Sequence, residues 1–427
     1  MDNLLVELTE KIFKINTLDF LIRTAPYVCK RWRDIVYNMI EYKDAKKKLN
    51  TYGFNSPRWQ IFEALRDFNV GMKFNNVVLN QLLFKKGFSP NNRLMRHYTI
   101  FEQLFPKRFK SLKKINVQSP SINQFDLTSL KLCSNVTKVD FQGCNFKDLS
   151  PILYLKKLKI LKLMRCNDIE NLYVIKDLVS LEQLYLESLY NIYFLPPLRN
   201  LKKLYKVKLY YIAELYDISS LKNLNIRNLG IMDCMKLKDV DTIGTLKYLQ
   251  TLTIYFCPLI QHLDCLKTCR YLHYLNIENC ECITTFHFIN HLKSLQKLML
   301  WKNVNNLKEL TLYDLPKLSS IDTWNCDNLN VLNFSNLPKL VYLDITNTNI
   351  NNIKFINNVP SMKYLMMSGT KVYSLDFDVL TKCSLKKIKF HKITTSDVYS
   401  LVSQQYKKLK KINKNIKIKL PMSSVSY

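Results

Sequence analysis

The sequence predicts an α/β repeat solenoid, a stack of about thirteen units of 22–23 residues whose strands form one parallel sheet, preceded by a small all-α segment. Three observations predict it. The pattern Leu-x-x-Leu-x-Leu recurs from Leu112 to Leu385. Six cysteines fall at one fixed place within that pattern. At 427 residues the chain exceeds one ordinary globular core, so several domains or an elongated array are expected, and 47% hydrophobic residues leave ample material to bury.

Repeats open at Leu112, Val136, Leu158, Leu181, Leu204, Ile226, Leu249, Leu272, Leu295, Leu318, Leu340, Met362 and Leu385, and twelve intervals over 273 residues give a mean period of 22.75. In the unit opening at Leu158, Leu161 and Leu163 continue a strand with alternate residues turned inward. Cys166 follows, then Ile169, Leu172, Ile175 and Leu178 at spacings of three, which suit a 3₁₀ or extended return. A unit of this size cannot close its own core, so units stack and their strands line a concave face. At about 4.8 Å per strand, thirteen strands span on the order of 60 Å. Cys144, Cys166, Cys234, Cys257, Cys280 and Cys326 each lie eight residues after their opening residue. The array resembles the leucine-rich repeat, whose turn position carries Asn or Cys packed beneath the turn. From Leu307 to Leu340 the pattern appears every eleven residues and the phase is ambiguous; Leu318 and Leu340 are read as the strands because they keep the period and hold Cys326 in register.

The segment before the array has a different texture. Leu4, Leu8 and Ile12 lie at helical spacing, and so do Val28, Trp32 and Ile35, which predicts two or three short helices. Leu4, Glu7, Ile12 and Phe13, with the closing run Val28-Cys29-Lys30-Arg31-Trp32-Arg33, resemble the F-box over residues 4 to about 40. Leu5 stands where that family usually has proline, and the middle loop is spaced differently. The resemblance implies docking on an S-phase-kinase-associated (Skp-type) adaptor and, through it, a cullin, with Leu4, Glu7, Leu8, Ile12, Phe13, Leu21, Val28, Cys29 and Trp32 as the adaptor-binding residues. The alternative is a helical cap over the exposed first repeat. Residues 46–110 read as further helices: Ser56-Pro57 and Ser89-Pro90 each start one, and Val77 to Phe84 forms another that ends near Gly87. The expected divisions are an F-box-like domain over 1–43, a helical linker and cap over 44–110, the solenoid over 111–407, and a basic cap or tail over 408–427. In the last of these, Lys407-Lys408-Leu409-Lys410-Lys411 and the Ile-Lys alternation after it suit either a capping strand with solvated lysines or a nucleic-acid or nuclear-targeting tail.

Signs of catalysis are missing. Glycines occur only at 53, 71, 87, 143, 230, 244 and 369, too sparsely for a phosphate-cradling loop or dinucleotide fingerprint. Ser-x-x-Lys at Ser111, Ser294 and Ser384 has a catalytic spacing, but its three copies in repeat register mark it as the Ser-Leu-x-Lys that leads into a strand. His262, Cys265, Cys269, His273, Cys280, Cys282, His287 and His291 crowd thirty residues without a paired zinc-ligand spacing. No enzyme activity, cofactor, metal or small-molecule substrate is expected.

Net charge of +30 implies attraction to acidic surfaces, yet 7 glycines against 25 tyrosines, with abundant Lys, Asn and Ile, is the bias AT-rich coding produces. The opening Met-Asp-Asn-Leu-Leu-Val-Glu lacks a cationic leader, and no uncharged apolar run reaches membrane-spanning length. Twelve cysteines in a long array read as reduced core residues, so a cytosolic or nuclear protein is expected.

The third, fifth and seventh positions of each repeat face away from the core. Lysines fill these columns toward the ends: Lys114, Lys138, Lys162, Lys206 and Lys208 on one side, and Lys387, Lys389 and His391 on the other. Tyr255, Tyr274, Trp301, Trp324, Tyr342 and Tyr364 fill them in the middle, among Glu278, Asp322 and Asp344. Outward aromatics of this kind predict a protein-binding surface whose tryptophans can be truncated with little loss of stability. Cross-strand aromatic stacking is the structural alternative, and the acidic trio argues against nucleic acid. Together with the F-box resemblance, these residues imply a substrate-recognition subunit of a cullin-type ubiquitin ligase that binds a target protein on the concave face. A free-standing interaction scaffold is the rival.

Overall fold

The computed structural model describes residues 112–118, 127, 130–131, 133–144, 146–303, 307–372, 385–389 and 417–419. The F-box-like segment and the helical linker lie outside these residues. The chain divides into two units at Ile169 and Glu170.

The first unit holds β1 (Lys114–Gln118), β2 (Lys138–Gln142) and β3 (Ile160–Met164), parallel and in register so that Lys114, Lys138 and Ile160 stand side by side. The second holds β4 (Gln183–Glu187), β5 (Lys206–Tyr210), β6 (Asn228–Met232), β7 (Thr251–Tyr255), β8 (Tyr274–Glu278), β9 (Lys297–Met299), β10 (Glu309–Tyr313), β11 (Ser320–Asp322), β12 (Val331–Ser335), β13 (Tyr342–Asp344), β14 (Tyr364–Met366), β15 (Lys387–Lys389) and β16 (Lys417–Lys419). In this unit β4 to β9 run on through β11, β13, β14, β15 and β16 as one parallel sheet. Every expected opening residue lies two places before one of these strands.

One repeat shows the cause. In β3 the inward Leu161 and Leu163 are fully buried while their neighbours remain half-buried, the period-two pattern of a strand with one face on a core. After Cys166 the buried Ile169, Leu172, Ile175 and Leu178 come every third residue. Within the second unit the matching return is a 3₁₀ helix, Tyr173–Asp177, closed by the Leu178 N–H donating to Ile175 O at 3.1 Å. Asp or Asn two residues ahead often starts such a helix: Asp217 Oδ1 accepts from Ser219 N at 2.7 Å and Asp239 Oδ1 from Asp241 N at 2.8 Å.

The eleven-residue stretch realises both phases at once. Leu318 and Leu340 open β11 and β13 in the main sheet, whereas Leu307 and Leu329 open β10 and β12, which pair with each other as a separate two-stranded sheet. Here the return half of the repeat is a strand instead of a 3₁₀ helix. Buried Asn290 borders β10, its amide donating to Thr311 O at 3.1 Å and accepting from Tyr313 N at 2.9 Å.

Each strand from β2 to β14 is followed by a left-handed residue seven places after the opening, including Arg165, Ser188, Tyr211, Asp233, Phe256, Asn279, Lys302, Asn325 and Asn347, with glycine at 143 and 369. The reversed backbone carries that residue's N–H to the next repeat: Tyr211 N donates to Met232 O at 2.8 Å, and Phe256 N to Glu278 O at 2.9 Å. The cysteine one place later points back, as Cys234 Sγ does toward Leu209 O at 3.6 Å. At the equivalent Asn303 a full amide does this work, donating to Ile277 O at 2.9 Å and accepting from Cys280 N at 3.2 Å.

Two outcomes follow for chemical denaturation. Asn303→Ala leaves two buried backbone groups unpaired and should cost about 2 kcal/mol or more, against a distinctly smaller loss for Cys257→Ala, whose thiol is a weak donor. Tyr211, which is 45% exposed and left-handed at φ 55°, gains from asparagine: Tyr211→Asn should stabilise by roughly 0.5–1 kcal/mol.

Candidate functional site

Parallel pairing in register turns the outward columns of the second unit into rows. Position five runs Thr253, Asn276, Met299, Asp322, Asp344 and Met366 across β7, β8, β9, β11, β13 and β14. Position three places Tyr274 beside Lys297, then Ser320, Tyr342 and Tyr364. At position seven Tyr255 pairs with Glu278, and Trp301 and Trp324 follow at the strand ends. The residues expected for partner binding therefore share one sheet face.

Their exposure differs from the expectation. Trp324 and Tyr364 are 36% and 38% exposed, whereas Tyr255, Tyr274, Trp301 and Tyr342 are half-buried. Side chains on strands this closely spaced cover one another. Trp301 meets Trp324 edge to face, with ring centroids 6.3 Å apart at 79°. Its indole nitrogen is buried beside Asp322, near enough to steady that carboxylate, but meets no acceptor at hydrogen-bond geometry. Truncating Trp301 therefore removes packing against Trp324, against the expectation that both tryptophans could be removed with little loss of stability.

The carboxylates occupy two settings. Glu278 is answered by Lys302, 3.4 Å away, whose ammonium also lies 5.6 Å above the Trp324 ring. Asp322 and Asp344 stand side by side without a Lys or Arg partner among the described residues. Asp322 Oδ1 accepts from Trp324 N at 3.1 Å; Asp344 accepts from Thr346 N at 2.9 Å and from the Tyr342 hydroxyl at 3.1 Å. Burial, and then the charge of Asp344, push the Asp322 carboxyl up to about 6. Burial first, and then the nearby carboxylates, raise the phenols of Tyr274 and Tyr342 as well. Asn276 Oδ1 is buried on the same face and accepts no hydrogen bond.

The lysine-bearing strands are less uniformly basic than their columns suggest. In the first unit Lys138 and Lys162 lie 3.8 and 3.4 Å from Asp140, while Lys114 is exposed. In the second, Lys206 and Lys208 sit over the Tyr185 ring at 5.6 and 5.8 Å, and Lys208 lies 5.1 Å from the Tyr210 ring. Lys387 is half-buried on β15, and His391 and the Lys389 side chain lie outside the described residues, as do all the residues expected to bind the adaptor. Another aromatic group, away from these columns, escaped the sequence reading. Exposed Tyr248 and Tyr271 stack at 6.3 Å and 19°, and each immediately precedes an opening leucine, a register signal visible in the sequence. Among the described residues no three His, Cys, Asp or Glu side chains converge to hold a metal, and no helix is long and apolar enough to cross a membrane. The ten described cysteines are free thiols, eight of them buried.

No protein-family model matches the sequence, and no curated protein matches it significantly. Solved structures do. An internalin, InlF, from Listeria monocytogenes is 21% identical with a TM-score of 0.51, over 70% of this chain and 87% of that one. Internalin C2 of the same organism is 19% identical at a TM-score of 0.38, covering 44% of this chain and 81% of its own. A leucine-rich-repeat protein of Leptospira interrogans is 18% identical at 0.33, covering 74% and 97%. These last two superpose too loosely to carry an argument. The likeness to InlF, with the strand register described above, defines the fold as a leucine-rich-repeat solenoid.

The unpaired aspartates make a thermodynamic prediction. Because the Asp322 carboxyl is raised from 3.8 to about 6, the folded chain binds its proton more tightly than the unfolded chain does. Stability is therefore lost as pH rises from about 4 to about 6, and the penalty persists above that. Asp322→Asn keeps the acceptor for Trp324 N and has nothing to ionise, so at pH 7.5 it should melt higher than the natural chain. The margin should shrink through pH 6 and vanish near pH 4 in a series of thermal melts; a margin independent of pH would contradict the assignment.

Proposed function

We propose that this chain is a protein-recognition subunit that binds another protein on the open sheet face of its repeats and performs no chemistry itself. The observation that carries this reading is the set of aromatics from Tyr255 to Tyr364 on one sheet face, among two aspartates that have no Lys or Arg partner among the described residues. Half-desolvated Trp and Tyr side chains beside fixed polar groups have the composition of interface hot spots. A face needed only for sheet stability gains nothing from a pair of like charges on adjacent strands.

The finer reading, a substrate receptor of a cullin-type ubiquitin ligase, is supported by the F-box-like residues Leu4, Glu7, Ile12 and Phe13 and the run Val28 to Arg33. In it the N-terminal helices engage a Skp-type adaptor and cullin, while the repeats present a target for ubiquitin transfer by other subunits.

Each reading has its own measurement. Purified full-length chain should co-elute with a recombinant Skp-type adaptor, and the double variant Phe13→Ala, Trp32→Ala should lose the adaptor while the array keeps its melting transition. Failure of the natural chain to bind the adaptor removes the ligase reading and leaves the recognition reading standing. For the latter, a photo-crosslinking residue at position 324 should capture a partner that one at exposed Tyr154 does not. Trp324→Ala should then weaken that identified partner by roughly 2 kcal/mol or more, whereas Lys114→Ala and Lys387→Ala mainly change association rate and salt dependence. Normal binding by Trp324→Ala with loss in the lysine variants would move the site elsewhere.

A further inference from the structure

We propose that the patch formed by Tyr274, Trp301, Asp322, Trp324, Tyr342 and Asp344 receives a lysine or arginine side chain from the protein partner. This rests on the recognition reading above and specifies the partner's chemistry.

The argument begins with a mismatch of charge. The chain carries 64 Lys and Arg against 34 Asp and Glu, so acidic side chains have no shortage of potential partners. Yet the two carboxylates at the centre of this face form no ion pair among the described residues, although adjacent strands hold them together. Two like charges so placed repel each other, and burial adds to the cost of keeping Asp322 ionised. A positive group brought from outside removes both penalties.

The surroundings favour such a group. Trp324 already attracts a cation: the Lys302 ammonium lies 5.6 Å from its ring on the side toward Glu278. This is the same cation-with-aromatic chemistry, displayed by the chain's own lysine on a ring of the patch. Asp322 has one oxygen committed to Trp324 N and Asn276 Oδ1 is a buried acceptor with no donor, so the patch holds acceptors open to an incoming N–H group, beside the Trp301 indole N–H that meets none of them. Ammonium and guanidinium groups are donors only.

Other occupants fit worse. A phosphate backbone would meet two carboxylates head on. An apolar side chain would bury both charges further without pairing either. A metal ion would have two carboxylates already accepting hydrogen bonds and no third ligand among the described residues.

The test uses the full-length chain and a short blocked peptide with two arginines separated by glycines, beside the same peptide with neutral citrulline in their place. A lysine peptide and its acetyl-lysine counterpart form a second pair. Binding is read from the indole N–H NMR signals of Trp301 and Trp324, assigned with Trp→Phe variants. Each charged peptide should shift these signals with at least tenfold higher affinity than its neutral partner. Asp322→Asn and Asp344→Asn should each weaken the charged peptide about tenfold, and Asp344→Glu should restore most of the loss at that position. Acid should weaken it too, as Asp322 takes up its proton. The charged and titratable residues on the strands around that carboxylate are Asp344, Tyr342, Tyr274, Glu278, Lys297 and Lys302, and the phenols and lysines do not change charge over that range.

Equal binding of charged and neutral peptides, or unchanged binding by both asparagine variants, overturns the proposal. Melting curves of the variants verify that they are folded. If the identified partner is weakened by Trp324→Ala but not by Asp322→Asn or Asp344→Asn, the recognition reading survives and the cation is wrong. If none of the three changes partner binding, both fail.

Discussion

A unit of 22–23 residues can neither bury its own leucines nor satisfy its own strand, so every feature of this chain depends on in-register parallel pairing between successive repeats. Leu184 and Val207 are fully buried because equivalent strands lie alongside them. The left-handed residue after a strand serves the same register, as Tyr211 and Phe256 do in delivering their N–H to the next repeat, while a following cysteine or asparagine such as Cys234 or Asn303 reaches back. A slip of one residue would exchange the two faces of a strand and put leucine into solvent. That penalty fixes the register.

Fixed register is also what makes a site. Residues about 22 apart in sequence become neighbours on adjacent strands, so chemistry spread over more than a hundred residues collects on one face without any loop to hold it. Asp322 and Asp344 meet because β11 and β13 pair, with β12 diverted into the other sheet between them. An ionised Asp322, buried beside the charge of Asp344, costs stability in the free chain, and the apolar stack beneath it tolerates that cost. Sites of recognition often hold such tension, since a group already satisfied within its own chain has little to offer a partner.

The balance between lysine and aspartate along the face follows from the same columns. Where a lysine row includes an acidic residue, as at Asp140, the charges answer each other across strands. Where tyrosines flank lysines, as at Tyr185 and Tyr210, the ammonium groups lie over rings. The central patch differs in having aromatic rings beside two carboxylates that form no ion pair among the described residues, the neighbouring Lys302 being engaged by Glu278.

Periodicity alone located the opening residue of every described repeat, because apolar spacing of two and then three has one physical reading when it recurs at a constant interval. It also assigned the outward columns, and hence which aromatics and acids share a face. Three things required the tertiary structure. Around Leu307 to Leu340 a pattern repeating every eleven residues is equally compatible with either phase, and only the packing of both halves against one core showed that each is a strand, in two different sheets. The left-handed turns carry Arg, Tyr, Phe, Lys and Asn as readily as glycine, so no residue type announces them; the carbonyl of the following repeat enforces that backbone. Finally, sequence places Trp301 and Asp322 on an outward face but cannot say how far neighbours cover them, because burial on an open sheet depends on side chains contributed by other repeats.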